Sequence, residues 1–175
     1  MVRMRIVIFG CGGSGKSTLA RKLGEKLNIP VIHLDQIYWR PGWQPITDEE
    51  FDKILIEKLS EKEWIIDGNF NRTIPLRLEH CDTAIYLDFS RFTCLRSVIG
   101  RVIRYYGKTR PDMGTDCPDK FDLEFLVWIW NFNKKNRSRY YEILAELQGK
   151  EVYILRARRE IKGLIELISN EYSEK

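Results

Sequence analysis

The chain has 175 residues, 43% of them hydrophobic and 31% charged, with a formal net charge of +4. That length suits one domain with a substantial core, and the lack of any run of some 18 apolar residues excludes a helical membrane span. Four scattered cysteines (Cys11, Cys81, Cys94, Cys117) form no C-x-x-C pair, which excludes a zinc ribbon or disulfide frame and predicts reduced thiols in a cytoplasmic protein.

Met1–Arg5 leads straight into an apolar strand, Arg5–Phe9, so no secretory signal is expected. The strand enters Gly10-Cys11-Gly12-Gly13-Ser14-Gly15-Lys16-Ser17, a full match to the phosphate-loop pattern G-x-x-x-x-G-K-[ST]. Its glycines let backbone N–H groups converge on an anion, and the helix that follows adds the positive end of its dipole. Gly10, Gly12, Gly13, Ser14, Gly15 and Thr18 are therefore expected to cradle the phosphates of a nucleotide. Lys16 would reach the β and γ oxygens, and the Ser17 hydroxyl would ligate Mg²⁺.

Leu19, Ala20, Leu23 and Leu27 share the apolar face of helix one. A short strand, Pro30–Asp35, ends in an acid, and a loop rich in Trp, Pro and Gly follows to Pro45. Thr47 and Glu50 form a capping box for a second helix with Phe51, Ile54, Leu55 and Leu59 on one side. Trp64–Gly68 is the next strand and Thr83–Asp88 the fourth, each ending in an acid. Such an acid beside a phosphate loop can hold Mg²⁺ or orient an acceptor hydroxyl. Gly68 permits close backbone approach and favours Asp67 for this role, whereas Asp88 reads as a turn residue before the N-cap Ser90.

Ser90 to about Tyr106 reads as a helix, and residues 107–118 as a long loop of Gly, Pro, Asp and Lys. Arg101, Arg104 and Arg110 lead into that loop and suggest a basic lid that neutralises charge and excludes water. A long helix from Asp119 to Leu147 is expected to break around Asn131–Ser138, and Phe125, Trp128, Trp130 and Phe132 on it read as core. Trp39 and Trp43 are candidates to stack on an acceptor, and His33 and His80 read as structural. The last strand is Val152–Leu155 and the last helix begins at Glu160. Strands alternating with helices predict one α/β domain over residues 1–175, with a parallel sheet between two helical layers. An acceptor-side segment would fall at about 36–62 and the lid at about 107–118.

By these residues the chain resembles the adenylate-kinase-like P-loop kinases. It is more closely similar to the bacterial group named DNA topology modulation proteins. The likeness rests on the phosphate loop, His-Leu-Asp (33–35), Pro-Gly-Trp (41–43), Trp-Ile-Ile-Asp-Gly-Asn-Phe (64–70), Gly-Lys-Thr-Arg-Pro-Asp-Met (107–113) and Trp-Ile-Trp-Asn-Phe (128–132). It implies a three-layer P-loop NTPase fold with five parallel strands, and transfer of the γ-phosphate of ATP, with Mg²⁺, to a small acceptor. It further implies that Asp67 serves the Mg²⁺ shell, that Arg72 holds an acceptor phosphate and that Arg101, Arg104 and Arg110 are lid arginines.

For the acceptor, two schemes stand open. Asp35 ends strand two, as in P-loop kinases of small hydroxyl compounds, while Arg40 sits roughly where a monophosphate kinase keeps an arginine. The likeness to monophosphate kinases tilts the expectation toward a phosphate acceptor. The alternative function is a DNA-associated regulatory protein with slow ATP hydrolysis, although no residue explains a link to DNA. A monomer or weak dimer without membrane contact is expected.

Overall fold

The apolar runs of the sequence become five parallel strands of one sheet, in the order β2-β5-β1-β6-β7. These are β1 (Arg5–Gly10), β2 (Val31–His33), β5 (Trp64–Asp67), β6 (Thr83–Leu87) and β7 (Glu151–Leu155). The computed structural model describes residues 4–173, so the opening Met1–Arg3 lies outside the described residues. β1 is flanked by β5 and β6, with Ile6 opposite both Ile65 and Thr83. Ile6, Ile8, Phe9, Ile65, Ile85 and Tyr86 are buried, as expected of parallel strands covered on both faces by helices.

The helices are α1 (Lys16–Leu27), α2 (Leu34–Tyr38), α3 (Asp48–Leu59), α4 (Ile74–His80), α5 (Arg91–Tyr105), α6 (Leu123–Ala145) and α7 (Glu160–Ser173). Each boundary has a local cause. Asn28 adopts the left-handed conformation, φ 55°, and its N–H caps α1 on the Gly24 carbonyl. Thr47 accepts the Glu50 N–H at 3.2 Å to start α3, and Ser90 accepts that of Thr93 at 3.3 Å to start α5.

Two expectations about the elements are overturned. The segment after β2 is not a plain loop: α2 forms there, followed by a two-stranded hairpin of β3 (Trp39–Arg40) and β4 (Gln44–Pro45). Helix α6 also runs unbroken through Asn131–Ser138. Its asparagines are absorbed without distortion, because Asn131 and Asn136 each donate to the carbonyl one turn back, at 3.0 and 2.9 Å.

The chain goes from β1 out to β2, returns to β5 and then crosses to β6 on the far side of β1. In such sheets the crevice at the carboxyl ends beside that reversal is where a ligand sits. The phosphate loop after β1 and Asp67 at the end of β5 both open onto it, and Asp35 follows β2 at the same edge.

Candidate active site

The loop between β1 and α1 is wound tightly. Gly13 has φ +78°, and a Cβ there would come within 2.5 Å of the Cys94 carbonyl oxygen, so only glycine is tolerated. Lys16 Nζ donates to the Cys11 carbonyl at 3.0 Å, which folds its side chain back along the loop. Ser14 is fully buried, and its hydroxyl finds no partner among the described residues. An open cavity of about 490 Å³ flanks the loop between α1 and α7, lined by Ser14, Gly15, Thr18, Arg158 and Ile161. Arg158 steadies this wall by donating to the Gly13 carbonyl at 3.3 Å and to Ser97 Oγ at 2.5 Å.

Ser17 and Asp67, fifty residues apart, meet: the hydroxyl donates to Asp67 Oδ2 at 2.8 Å. Two hard oxygen donors beside a phosphate cradle suit Mg²⁺, which is usually bound through one or two protein groups plus substrate phosphates. Among the described residues no group of three or more His, Cys, Asp or Glu side chains could hold a metal unaided, so the fit requires nucleotide oxygens. The other Asp67 oxygen, Oδ1, is engaged by His33 Nδ1. Burial alone would depress that imidazole. The Asp67 hydrogen bond, helped by Asp112 and Asp35, outweighs it and holds His33 above its ordinary value. His33, read as structural from the sequence, thus orients the carboxylate beside Ser17. Asp88 is occupied elsewhere, by Arg137 at 2.7 Å and Tyr141 at 2.8 Å.

Asp35 does not end its strand as expected; it is the second residue of α2. Burial raises its carboxyl above the ordinary range. Lys16 and Arg110 pull against the rise, and Asp67 and Asp112 add to it. Those influences put Asp35 within the field of the phosphate lysine, the Asp67 corner and the lid.

Residues 107–118, expected to form a lid, are tied down by ion pairs. Arg110 pairs with Asp112 at 2.7 Å and with Asp119 at 3.1 Å, and Arg101 reaches the same Asp119 oxygen at 3.2 Å. Burial, then the neighbouring Arg110 charge, lowers the Arg101 guanidinium from its ordinary value. Arg104 stays exposed and does not join them. This strap is tied to α2 and the β3–β4 hairpin. Gly42 N–H donates to the Asp116 carbonyl at 2.9 Å, Trp43 Nε1 to Pro118 at 3.1 Å and Gln36 Nε2 to Pro111 at 2.6 Å. At Gly114 a Cβ would run into the Trp39 carbonyl, so the strap and hairpin touch backbone to backbone. Trp39 and Trp43 pack edge to face at 5.5 Å and line this seam.

The two arginines expected at an acceptor phosphate are engaged elsewhere. Arg40 is paired with Glu50, at 2.5 and 2.7 Å, and Arg72 with Asp52 at 2.7 Å and Asp48 at 3.2 Å, all half-exposed on α3. Arg77 went unnoticed in the sequence. It is completely buried and donates to the Gly68, Phe70 and Thr73 carbonyls at 2.9, 3.0 and 3.3 Å, clamping the turn after Asp67. Burial depresses its guanidinium to about 10, so it remains charged at neutral pH. Of the aromatics read as core, Phe132 is buried, whereas Trp128 and Trp130 are substantially exposed.

Known proteins can now be set beside this geometry. No protein-family model matches the chain. Shikimate kinase 1 of Yersinia enterocolitica is 28% identical over 160 residues, covering 83% of this chain and 85% of its own. Shikimate kinase 1 of Serratia proteamaculans matches to the same extent. Among solved structures, shikimate kinase from Bacteroides thetaiotaomicron superposes with a TM-score of 0.55 at 19% identity, over 98% of this chain and 99% of that one. Deoxyadenosine kinase from M. mycoides, solved with bound dATP, gives 0.56 at 19% identity over 97% and 100%. The fold is that of the P-loop kinases. A gluconokinase from Sinorhizobium meliloti shares it as well, with a TM-score of 0.54 at 15% identity over 98% and 93%. The P-loop kinase fold thus spans nearly the whole chain. These relatives support the kinase part of the resemblance drawn from the motifs and lend nothing to its DNA-related part.

Proposed function

We propose that this chain is an ATP-dependent phosphotransferase that acts on a hydroxyl group of a small polar acceptor, with Asp35 as the general base. The observation that carries the reading is the contrast between Asp35, set among Lys16, Asp67, Arg110 and Asp112, and the arginines Arg40 and Arg72, tied to surface carboxylates of α3. A phosphate acceptor needs free cations and no base; a hydroxyl acceptor needs a carboxylate within reach of its proton. The curated relatives point the same way, because shikimate, the compound in their name, carries hydroxyl groups.

In this reaction the loop amides and Lys16 bind the β and γ phosphates, and the cavity between α1 and α7 receives the nucleoside. Ser17 and Asp67 would hold Mg²⁺, which when bound neutralises phosphate charge. Asp35 takes the proton of the acceptor hydroxyl as its oxygen bonds to the γ-phosphorus and the bond to the β-phosphate oxygen breaks, releasing ADP. Arg110 and Arg101, held by Asp112 and Asp119, supply positive charge under a lid that keeps water out.

The test is ADP release with Mg-ATP across a panel of polyols, hydroxy acids, nucleosides and nucleoside monophosphates. Stimulation by a hydroxyl compound supports the reading. Stimulation confined to nucleoside monophosphates overturns it in favour of the phosphate acceptor. The DNA-associated alternative would show as tight, salt-sensitive DNA binding without any acceptor-dependent turnover.

A further inference from the structure

Outside the site, the outer face of α5 and α6 does not behave like a solvated surface. Phe92, Ile99 and Ile103 recur at helical spacing on α5, and Leu123, Val127 and Trp130 on α6, and all six are exposed. Phe92 is 67% and Ile103 77% accessible to water. The helices run antiparallel, because Phe92 meets Trp130 edge to face at 5.7 Å at one end, while Ile99 and Val102 line a crevice with Phe121 and Leu126 at the other. The two stripes therefore merge into one patch, extended by Phe121 and Tyr106.

The size of the patch is what calls for a partner. With ~150–250 Å² for an aromatic side chain and somewhat less for an aliphatic one, these exposures leave roughly 900 Å² of apolar surface. The largest such patch on an ordinary monomer is about 300–600 Å², whereas a stable complex covers about 800 Å² on each partner. We infer that this face joins two copies of the chain across a two-fold axis. The antiparallel layout suits that symmetry: the end of one copy that carries Phe92 and Trp130 would lie on the end of the other that carries Ile103 and Leu123, flanked by Tyr106 and Phe121. Arg91 is already stacked on Trp130 at 4.7 Å, the pairing of aromatic and arginine that interface centres favour.

The rim fixes a sign for the salt dependence. The exposed charges on these segments are mostly basic, Arg96, Arg104, Lys120 and Lys134, with Glu124 and the crevice-lining Asp122 opposing them. Two identical basic rims repel at low ionic strength, so the dimer should tighten as salt is added. An anionic lipid surface or an acidic partner would be released by salt instead.

The experiment is sedimentation velocity of the full chain across a concentration series at low and physiological salt, with Phe92→Glu and Ile103→Glu beside it. Expected is a dimer that strengthens with salt and is weakened about 10²–10³-fold by either substitution, since a two-fold interface loses each side chain twice. Both positions are open to solvent, so at concentrations where the parent is monomeric the variants should melt as it does; Leu123→Glu provides an independent check if one does not. A parent monomeric throughout the series overturns the proposal. So does a dimer indifferent to all three substitutions, or salt-released binding to vesicles containing phosphatidylserine in place of dimerisation.

Discussion

Replacing Asp35 by Asn tests the chemistry most directly, because the change removes a charge and keeps the shape. General bases are worth about 10²–10⁴-fold in rate. Here the carboxyl is raised by burial and by Asp67 and Asp112, which brings its proton affinity closer to that of a hydroxyl in flight. A loss of about 10³-fold in kcat is therefore expected, which corresponds to ~4 kcal/mol of barrier. Acceptor KM should change little, since the amide still reaches the hydroxyl. The acid limb of kcat/KM in the parent should lie above the ordinary carboxylate value of about 4 and should vanish in the variant. Stability should move the other way. A carboxyl whose folded value is raised favours folding only while protonated and loses that contribution as pH rises through the folded value. At neutral pH the charge therefore works against folding, and Asn should raise the melting temperature. The assay is acceptor-dependent ADP release from pH 5 to pH 9, beside thermal melts, with Arg72→Ala as control. Arg72 is half-exposed and bound to Asp52 and Asp48, so its removal should cost under about 1 kcal/mol of stability and leave acceptor use intact. A parent-like kcat in Asp35→Asn, with acceptor use lost in Arg72→Ala, would refute the assignment of Asp35 as base.

Three further outcomes are expected. Lys16→Ala should lower turnover by at least about 10²-fold with an unchanged melt, because Lys16 bonds only the loop carbonyl of Cys11 and its main contribution is to transition-state charge. Protease cleavage within residues 107–118 should slow when Mg²⁺ and a dinucleotide spanning both substrate sites are added; cleavage at an unchanged rate would count against a lid. Arg77→Met should lower stability by about 3 kcal/mol, since three buried carbonyls lose their donor while a desolvated charge is relieved. In a chain of this size that is a melting-temperature drop of about 6–12 °C, read by calorimetry, and a melt within a degree or so of the parent would show the clamp to be dispensable.

Much of the site was legible because it is local in sequence. The phosphate loop declares itself in eight consecutive residues, and Asp67 stands out as an acid closing an apolar strand before a glycine. What escaped was long-range. His33 and Asp67 are 34 positions apart, and nothing in either segment announces the contact. Arg77 went unnoticed, because burial of a charge is visible only once the three carbonyls around it are placed. Arg72 shows the converse: its partners Asp48 and Asp52 lie on a separate helix, so the ion pairs that compete with an acceptor phosphate for it are invisible in its own segment. The expected break in α6 falls on a stretch rich in Asn, yet Asn131 and Asn136 donate to carbonyls of the helix itself and Asn133 to that of Phe89. Trp130 was taken for core since helical spacing alone does not say which apolar stripe faces inward.

The seam between the lid strap and the β3–β4 hairpin has a thermodynamic consequence. The strap carries Arg110, and hydrogen bonds from Gln36, Gly42 and Trp43 join it to α2 and the hairpin. On the proposed reading, with nucleotide under the strap and acceptor beside the hairpin, closing one half closes the other, and whichever substrate arrives first bears the ordering cost for both. Such coupling is reciprocal: a non-hydrolysable ATP analogue must sharpen acceptor affinity by the same factor with which the acceptor sharpens that of the nucleotide. Calorimetric titrations in both orders would measure that factor, and a value of one would mean that the two halves move independently. With a factor above one the enzyme binds its substrates as a synergistic pair, reluctant to close on ATP alone, and wasteful hydrolysis is held down by the hairpin as much as by the catalytic residues.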